Sequence, residues 1–344
     1  MRKNIYNYTE KTLADDLLNM GESAYRARQI FKGLYSSGWK TFSDFTTLTK
    51  EFRSQLEEIY SINNLNRISI LKSATDDTTK FLWELPDKNR IESVIIYEGN
   101  RVTFCISSQV GCALDCKFCA TGKMGIIRDL SPGEIIEQVV QMKELSKYPP
   151  TNIVYMGMGE PMLNYDAVIQ AADILSDPEG MCFSRKKITV STSGIIKNIY
   201  RMADENQPYS LAISLNSVEQ EVRKKIMPVS RKYPIDKLIE AARYYTEKTG
   251  KRITFEYVLI KNMNASLEDA KKLINLTRGI PCKINVIPCN SDDPDYQPPS
   301  WDEVEQFDRY VNQSHRTITI RNRKGWDIKA ACGQLCTATS AITS

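Results

Sequence analysis

Histidine is nearly absent from this chain of 344 residues, since His315 is the only one. A single histidine leaves little room for Ser-His or Cys-His catalysis, or for a metal site built from imidazoles. Long hydrophobic runs are also missing, and no apolar stretch approaches the roughly 18 residues of a membrane-spanning helix. The N-terminal segment MRKNIYNYTEK has no apolar core of the kind found in export signals. We therefore expect a cytoplasmic protein without membrane association, whose chemistry depends on cysteine and carboxylate side chains.

Cysteine is plentiful by comparison. The nine cysteines are odd in number and unevenly spaced, which is not the pattern of a secreted disulfide framework. Metal or redox chemistry explains them better. The net charge of +4 is mildly basic, so a nucleic-acid partner is permitted but would need a local basic surface.

Two segments precede the main body of the chain. Residues 1–65 have apolar side chains at helical spacing, punctuated by Gly21 and Gly38, with basic side chains on the outer face. Residues 66–100 alternate in the manner of β-strands and end in a turn at Glu98-Gly99-Asn100. We predict a small N-terminal helical accessory domain over 1–65 and a β linker or extension over 66–100.

Residues 101–344 alternate short β-branched strands with helical segments. The strands are FCIS, NIVYMGMG, KITVSTSG, SLAISLN, RITFEYVLI, KINVIPCN and TITIR, and helices of the type YDAVIQAADILS lie between them. This alternation predicts parallel strands with right-handed crossovers. We expect an α/β fold in which this segment forms a partial (β/α)6 barrel resembling a TIM barrel, with the site at the C-terminal strand ends. Polar residues or glycines stand at those ends, namely Gly159, Glu160, Ser191, Ser214, Asn216 and Asn290.

The segment SSQVGCALDCKFCATG sets Cys112, Cys116 and Cys119 in the spacing CxxxCxxC. Three thiolates can hold three corners of a [4Fe-4S] cluster and leave the fourth iron open to another ligand. Spacing and position after the first barrel strand resemble the radical S-adenosylmethionine (SAM) superfamily, in which the open iron binds the amino and carboxylate groups of SAM. A zinc site stays open as an alternative because Cys105 is available as a fourth thiolate, although it belongs to the strand FCIS.

Several longer motifs stand in the order of the RlmN/Cfr family of radical methyltransferases, which this chain resembles: CISSQVGCALDCKFCATG, MGMGEPMLN, STSGI, PCKINVIPCN and KGWDIKAACGQL. The N-terminal GESAYRARQIFKGLY resembles the family's helix-hairpin-helix-like accessory module. The resemblance implies a [4Fe-4S] cluster on Cys112, Cys116 and Cys119 and two SAM molecules per turnover. It places SAM among Gly159, Glu160, Ser191, Ser214, Leu215, Asn216 and Asn290. Asn216 stands where the family usually has histidine, so a side chain that cannot be charged replaces one that can.

The family methylates a ring carbon of adenine in RNA, and the resemblance assigns three residues to that reaction. Cys332 receives a methyl group from the first SAM, and a radical derived from the second SAM takes a hydrogen from it. The resulting methylene radical adds to the ring carbon, which leaves the RNA attached to Cys332. Glu92 removes the ring proton, and Cys105 attacks the Cys332 sulfur, so methylated RNA leaves and a Cys105–Cys332 disulfide remains.

The family has two branches. RlmN-type enzymes methylate C2 of adenosine 2503 in 23S rRNA and adenosine 37 of some tRNAs, whereas Cfr-type enzymes methylate C8 and confer antibiotic resistance. The strings GEPMLN and PCKINVIPCN look more like the RlmN type, so we favour C2. The expected partners are 23S rRNA, tRNA and an electron donor such as flavodoxin or ferredoxin, and the expected state is a monomer.

A different class of function also remains open, a noncatalytic zinc-stabilised RNA-binding protein. The accessory helices favour it, as do six basic residues, which are Arg185, Lys186, Lys187, Arg223, Lys224 and Lys225. The four remaining cysteines match no catalytic position that the resemblance implies. We interpret Cys182, Cys282, Cys289 and Cys336 as packing residues.

Overall fold

The computed structural model describes residues 2–312, 317–321 and 323–337, so His315 lies outside the described residues. The strands of that part of the chain are β1 (Lys3–Asn4), β2 (Tyr60–Ser61), β3 (Asn66–Lys72), β4 (Thr79–Glu84), β5 (Arg90–Glu98), β6 (Arg101–Cys105), β7 (Gln109–Gly111), β8 (Ile126–Asp129), β9 (Asn152–Tyr155), β10 (Ile188–Thr192), β11 (Ser210–Ser214), β12 (Ile253–Leu259), β13 (Cys282–Pro288) and β14 (Thr317–Ile320).

The α-helices of the same residues are α1 (Glu10–Asn19), α2 (Tyr25–Tyr35), α3 (Lys50–Ile59), α4 (Ala120–Lys123), α5 (Pro132–Leu145), α6 (Tyr165–Ser176), α7 (Ile196–Asp204), α8 (Gln220–Ile226), α9 (Ile235–Thr249), α10 (Leu267–Leu276) and α11 (Trp301–Asn312). None of them combines the length and apolar character that a membrane-spanning segment needs.

One ten-stranded sheet forms the centre of the molecule, in the order β14-β13-β12-β11-β10-β9-β6-β5-β4-β3. The strands from β6 through β9 to β14 pair in parallel, and helices α5 to α11 follow them along the chain. Six strand-helix units followed by a seventh parallel strand confirm the predicted partial barrel. Strands β5, β4 and β3 continue the same sheet in antiparallel pairing.

Period-two alternation decides which side chains face the barrel interior. In β12, Ile253, Phe255 and Tyr257 are at most 1% exposed and pack in the hydrophobic core. The alternate residues Thr254 and Glu256 line the interior instead. The interior of this barrel is therefore partly polar. An interior that served only to stabilise the fold would be filled with apolar side chains, so these polar residues indicate a binding site.

Helix α5 shows how local sequence sets the position of a crossover. Ser131 and Glu134 form a reciprocal capping box at its start, and Pro132 occupies the first turn. Its face carrying Ile135 and Val139 is fully buried. The loop before it carries a short antiparallel ribbon of β7 and β8, which the sequence analysis did not predict.

Helices α1, α2 and α3 form the N-terminal module with the paired strands β1 and β2. The buried carboxylate of Glu137 on α5 accepts hydrogen bonds from Asn4 Nδ2 at 2.8 Å, Asn64 Nδ2 at 2.8 Å and the Leu65 N–H at 2.7 Å. Burial raises the pKa of Glu137, while these three donors oppose the shift. The module is thus fixed to the first crossover helix by a satisfied buried acid rather than tethered loosely.

Candidate active site

A first cavity opens at the C-terminal ends of the parallel strands, with about 960 Å³ of empty space including its mouth. Its wall combines apolar side chains with a few convergent polar groups, as small-molecule sites do. Nearly all of the predicted cofactor residues meet in its wall: Cys112, Cys116, Cys119, Gly159, Glu160, Ser191, Ser214, Asn216 and Asn290. Leu215 is fully buried behind the wall and does not line it.

The three motif cysteines lie in the loop between β7 and α4. Burial raises the pKa of all three thiols, and the proximity of Cys119 and Cys112 raises that of Cys116 further. Gly122 closes this loop so tightly that a Cβ there would lie 2.9 Å from the Cys116 nitrogen. Three neighbouring thiols in one cavity wall fit a cluster that needs three thiolates.

The alternative zinc site fits less well. Within the described part of the chain, no group of three His, Cys, Asp or Glu side chains could hold a single metal ion. Cys105 lies on β6, where it pairs with Val94 of β5, and it lines a different cavity from the three motif cysteines. The four thiols therefore do not surround one point.

Glu160 is held rigidly in the first cavity. Its carboxylate, 2% exposed, accepts from the Ser193 N–H at 2.7 Å and the Met162 N–H at 3.1 Å. Burial raises its pKa, and these hydrogen bonds lower it. The preceding Gly159 has φ +99°, and a Cβ there would lie 2.5 Å from Gln109 Cβ, so only glycine fits.

Asn216 occupies the histidine position in a left-handed conformation, with φ 56°, which asparagine and histidine adopt more readily than most residues. Its Oδ1 accepts from the Val258 N–H at 2.9 Å, and its Nδ2 donates to Met227 Sδ at 3.2 Å. Asparagine at this position thus joins the ends of β11 and β12 through its own side chain.

A second cavity runs along the barrel interior, and both Cys105 and Cys332 line it. Its wall is strongly basic, with Arg101, Lys186, Lys187, Lys283, Arg321, Arg323 and Lys324. Glu98 and Glu256 are its only acidic residues among those described. Such a wall suits a polyanion.

The two cavities share a short stretch of wall, composed of Met156, Glu256, Ile287, Asn290, Arg321 and Cys332. Arg321 Nη1 lies 4.0 Å from Cys332 Sγ and 4.0 Å from Glu256 Oε2. Sequence reasoning missed Glu256 and Arg321. The available signal was a charge at an inward position of an otherwise apolar strand.

Cys105 and Cys332 are neighbours but are not joined, since both are free thiols. Cys105 is buried, and burial together with Cys332 raises its pKa to about 12, against the opposing charge of Arg321. Cys332 is exposed to the cavity. Partial removal of its thiol from water by the cavity wall still raises the pKa of that thiol, and the charge of Arg321 opposes the shift. A buried thiol beside an accessible one suits two successive roles.

Comparison with known proteins agrees with this geometry. The model of the Radical SAM superfamily matches residues 106–275, and that of the ribosomal RNA large subunit methyltransferase N-terminal domain matches residues 3–62. A protein of Geotalea uraniireducens named dual-specificity RNA methyltransferase RlmN is 43% identical over 96% of this chain and 96% of its own. The chain belongs to the RlmN family of radical SAM methyltransferases.

Two further relatives support this membership. A Geobacter sulfurreducens protein with the same name is 44% identical over 93% of this chain and 88% of its own. The crystal structure of a radical SAM methyltransferase from Sphaerobacter thermophilus is 39% identical, superposes with a TM-score of 0.93, and covers 97% of this chain and 99% of that one. The RlmN-family fold thus extends over nearly the whole chain.

The structure places Glu92, the predicted base of this RlmN-family chain, in the lining of neither cavity. Its side chain is fully buried, 3.1 Å from Lys80 Nζ, and accepts from the Cys336 N–H at 2.9 Å. The strand register puts Glu92 on the same sheet face as Cys105, two residues along β5 from its partner Val94. Glu92 therefore connects the sheet to the segment that carries Cys332.

That segment, residues 323–337, is called the Cys332 loop below. It is fixed at several points, since the Gly325 N–H donates to Asp76 at 2.8 Å and Thr121 Oγ1 donates to the Leu335 carbonyl at 2.6 Å. Asn290 Nδ2 donates to the Cys332 carbonyl at 3.3 Å. Cys332, the catalytic cysteine expected of an RlmN-family protein, is therefore held in place by α4, which follows the motif cysteines, and by the turn between the antiparallel strands β3 and β4.

Two sequence interpretations were wrong. Cys182 is exposed and has φ 53°, so it is not a packing residue. Arg223, named above among six basic residues that favour an RNA-binding protein, is completely buried and cannot contact RNA. Of the other cysteines interpreted as packing residues, Cys282 and Cys289 are buried as predicted, and Cys336 is half-buried.

Proposed function

We propose that this chain methylates C2 of adenosine 2503 in 23S rRNA and also adenosine 37 of tRNA. The observation that carries this proposal is the meeting of Cys105 and Cys332 where the basic cavity adjoins the cavity of the three motif cysteines. The names of the curated relatives support activity on more than one RNA. The name RlmN of these relatives supports this proposal over C8 methylation, and the separation of Cys105 from the three motif cysteines supports it over a noncatalytic zinc protein.

The residues of the first cavity suit the two cofactors of this proposal. Cys112, Cys116 and Cys119 would hold a [4Fe-4S] cluster, and Glu160 faces the space where the ammonium of SAM would lie. When bound, these cofactors supply a methyl group, an electron and a radical that removes hydrogen from a methyl carbon. Flavodoxin or ferredoxin remains our proposal for the electron donor.

Two thiols of the chain would handle the transferred carbon. The Cys332 sulfur would take the methyl group, whose carbon gives one hydrogen atom to the radical and then bonds to the ring carbon. The ring would return one electron to the bound cofactors and give its proton to Glu92, which leaves the RNA joined to Cys332 through a thioether. The Cys105 thiolate then attacks that sulfur, so an S–S bond forms and the S–C bond breaks with its electron pair on carbon. That carbon takes a proton and becomes the methyl group, and two electrons from the donor later reduce the disulfide.

RNA would approach through the basic wall of the second cavity. Phosphate contacts by lysine and arginine supply most sequence-independent affinity for nucleic acids. An adenine inside a folded RNA must also leave its stack before a buried group can reach it. The interior position of Cys105 and Cys332 therefore requires an extruded base.

The position of methylation is tested by mass spectrometry of RNA from cells with and without this protein. We expect 2-methyladenosine at position 2503 of 23S rRNA and at position 37 of tRNA only when the protein is present. Retention times of synthetic 2-methyl- and 8-methyladenosine distinguish the isomers. Appearance of the 8-methyl isomer would replace the C2 proposal with the Cfr-type activity.

Glu92→Gln is expected to lower the rate of RNA methylation by roughly 10²-fold or more, because an amide cannot remove the ring proton. The variant keeps an acceptor for the Cys336 N–H but leaves the buried Lys80 without its counter-charge. A structural role alone would therefore also lower activity, through a loss of stability of about 3–5 kcal/mol. Methyl incorporation and thermal unfolding are measured on the same preparation.

The double variant Lys80→Met with Glu92→Gln separates these two explanations. Removing both charges eliminates the uncompensated lysine and should restore much of the lost stability. Activity should stay low if Glu92 removes the proton. Recovery of near-native methylation in the double variant would mean that Glu92 only anchors the Cys332 loop.

A further inference from the structure

Among the described residues, Arg223 is the only arginine whose side chain is completely buried, with 0% exposure. It projects from α8 into the wall behind the first cavity. No carboxylate in the described part of the chain lies within ion-pair distance of it. Its guanidinium donates only to backbone carbonyls, namely those of Leu215 at 2.8 Å, Ser193 at 2.7 Å, Ser214 at 3.2 Å and Tyr233 at 3.3 Å.

Three of these carbonyls, those of Ser193, Ser214 and Leu215, belong to the C-terminal ends of the neighbouring strands β10 and β11. Ser193 follows β10, Ser214 ends β11, and both serines line the first cavity. Neighbouring Gly194, with φ +109°, would place a Cβ only 3.4 Å from Arg223 Nη2. The guanidinium therefore fixes the backbone that surrounds the cofactor space.

A buried charge without a counter-charge is costly, and neutral donors would serve backbone carbonyls at lower cost. Burial lowers the pKa of Arg223 only to about 10, so the side chain stays positive at neutral pH. Hydrogen bonding to carbonyls alone does not explain why a charge is present. A negative partner absent from the protein itself would explain it.

The motif cysteines, which would be thiolates when they hold a cluster, are a source of that negative charge. The Lys117 N–H donates to the Ile226 carbonyl at 2.9 Å, which ties the residue after Cys116 to the helix of Arg223. Cys116 also lines the first cavity together with Ser193 and Ser214, whose carbonyls accept from Arg223. The buried guanidinium and the expected cluster ligands thus belong to the same cavity wall.

We propose that Arg223 is a positioning residue that holds the ends of β10 and β11 around SAM and raises the reduction potential of the cluster with its buried positive charge. This inference rests on the proposed function because it requires the cluster on Cys112, Cys116 and Cys119. Reduction adds one electron to a site already carrying thiolate charge. A cation nearby in a low-dielectric interior favours the reduced state.

The test uses the full chain with its cluster reconstituted anaerobically, and compares Arg223→Gln, Arg223→Met and Arg223→Lys with Lys224→Met. Lys224 is the matched control, because it is the next residue of α8 but its charge is exposed and paired with Glu221. Iron content is measured first. A redox titration followed by electron paramagnetic resonance then gives the midpoint potential, and calorimetry gives SAM affinity.

We expect Arg223→Gln and Arg223→Met to shift the midpoint potential to more negative values, while Lys224→Met leaves it unchanged because solvent and salt screen that charge. Arg223→Lys should keep the potential near that of the native protein and yet weaken SAM binding, because an ammonium cannot reproduce the planar fork that reaches several carbonyls. The midpoint potential therefore reports the effect of the Arg223 charge, and the SAM affinity reports its effect on the position of the strand ends.

A native potential in Arg223→Gln with full iron content would overturn the proposal, as would a shift in Arg223→Lys equal to that in Arg223→Gln. If Arg223→Met does not fold, the midpoint potentials of Arg223→Gln and Arg223→Lys still test the proposal, because both of these variants keep hydrogen-bond donors and only the second keeps the charge. A native chain that binds no cluster would instead refute the proposed function. That outcome is recognised from the iron content before any variant is compared.

Discussion

Cys105→Ala is expected to come out of growing cells with RNA covalently bonded to Cys332. The variant keeps Cys332 exposed to the cavity and keeps every residue assigned to the cofactors. Methyl transfer to Cys332 and attachment of the ring carbon therefore proceed. Release does not, because the only assigned duty of Cys105 is to break the bond between the Cys332 sulfur and carbon.

The surroundings of Cys105 make replacement by another nucleophile difficult. The thiol is 7% exposed, so only a small part of its surface is open to a thiol from solution, and no fixed nucleophile is assigned to its place in the variant. Its pKa of about 12 also means that it rests protonated at neutral pH, and the nearby Arg321 charge favours its thiolate. Release by the native chain should accordingly become faster as pH rises, since the thiolate fraction rises.

The adduct is detected on denaturing gels as a band that ribonuclease removes, and by mass spectrometry as a nucleotide-sized increment on the peptide containing Cys332. Cys105→Ala combined with Cys332→Ala should carry no RNA and serves as the control. An RNA-free, fully active Cys105→Ala variant would show that Cys105 only packs and that no disulfide step occurs.

Alanine at Cys112, Cys116 or Cys119 is expected to abolish cluster assembly and with it all RNA methylation. Each thiolate holds one iron of the cube, and the described residues lining the first cavity include no further thiol except Cys332. Iron content after anaerobic reconstitution should fall to background in each variant. The broad visible absorbance of the native protein should disappear in parallel.

Cys182→Ala is the matched control for the cluster prediction, because Cys182 is exposed and lies outside the first cavity. It should retain native iron and activity. Full iron loading in any one of the three motif variants would show that this cysteine is not a cluster ligand. Zinc in place of iron in the native protein would revive the noncatalytic alternative.

The fold was largely predictable because the alternation of strands and helices follows from local sequence patterns, namely short β-branched segments and apolar residues at helical spacing. Each predicted barrel strand is present, since β-branched segments between amphipathic helices can satisfy their backbone only as parallel neighbours. The ribbon of β7 and β8 and the short helix α8 were missed. Their sequences, QVG, IIRD and QEVRKKI, are too short or too polar for periodicity to identify them.

The site was predictable where it depends on local spacing and unpredictable where it depends on distant contacts. CxxxCxxC and the glycine-glutamate turn are local, and the cavity brings them together. Arg223 reads as one charge among three in the string RKK, and only the packing of α8 shows that it alone points inward. The pairing of Glu92 with Lys80 likewise depends on the antiparallel register of β4 and β5.

The anchoring of the Cys332 loop has a consequence for biosynthesis. Cys332 follows Cys105 by 227 residues in the chain, and its loop docks on partners made equally early, such as Asp76 and Thr121. Translation at about 5–20 residues per second separates the two cysteines by roughly 10 to 45 s. During that interval the nascent chain can fold the early strands and the motif loop, but it lacks Cys332, the proposed methyl acceptor. The proposed reaction therefore cannot begin until the Cys332 loop has been synthesised and has docked.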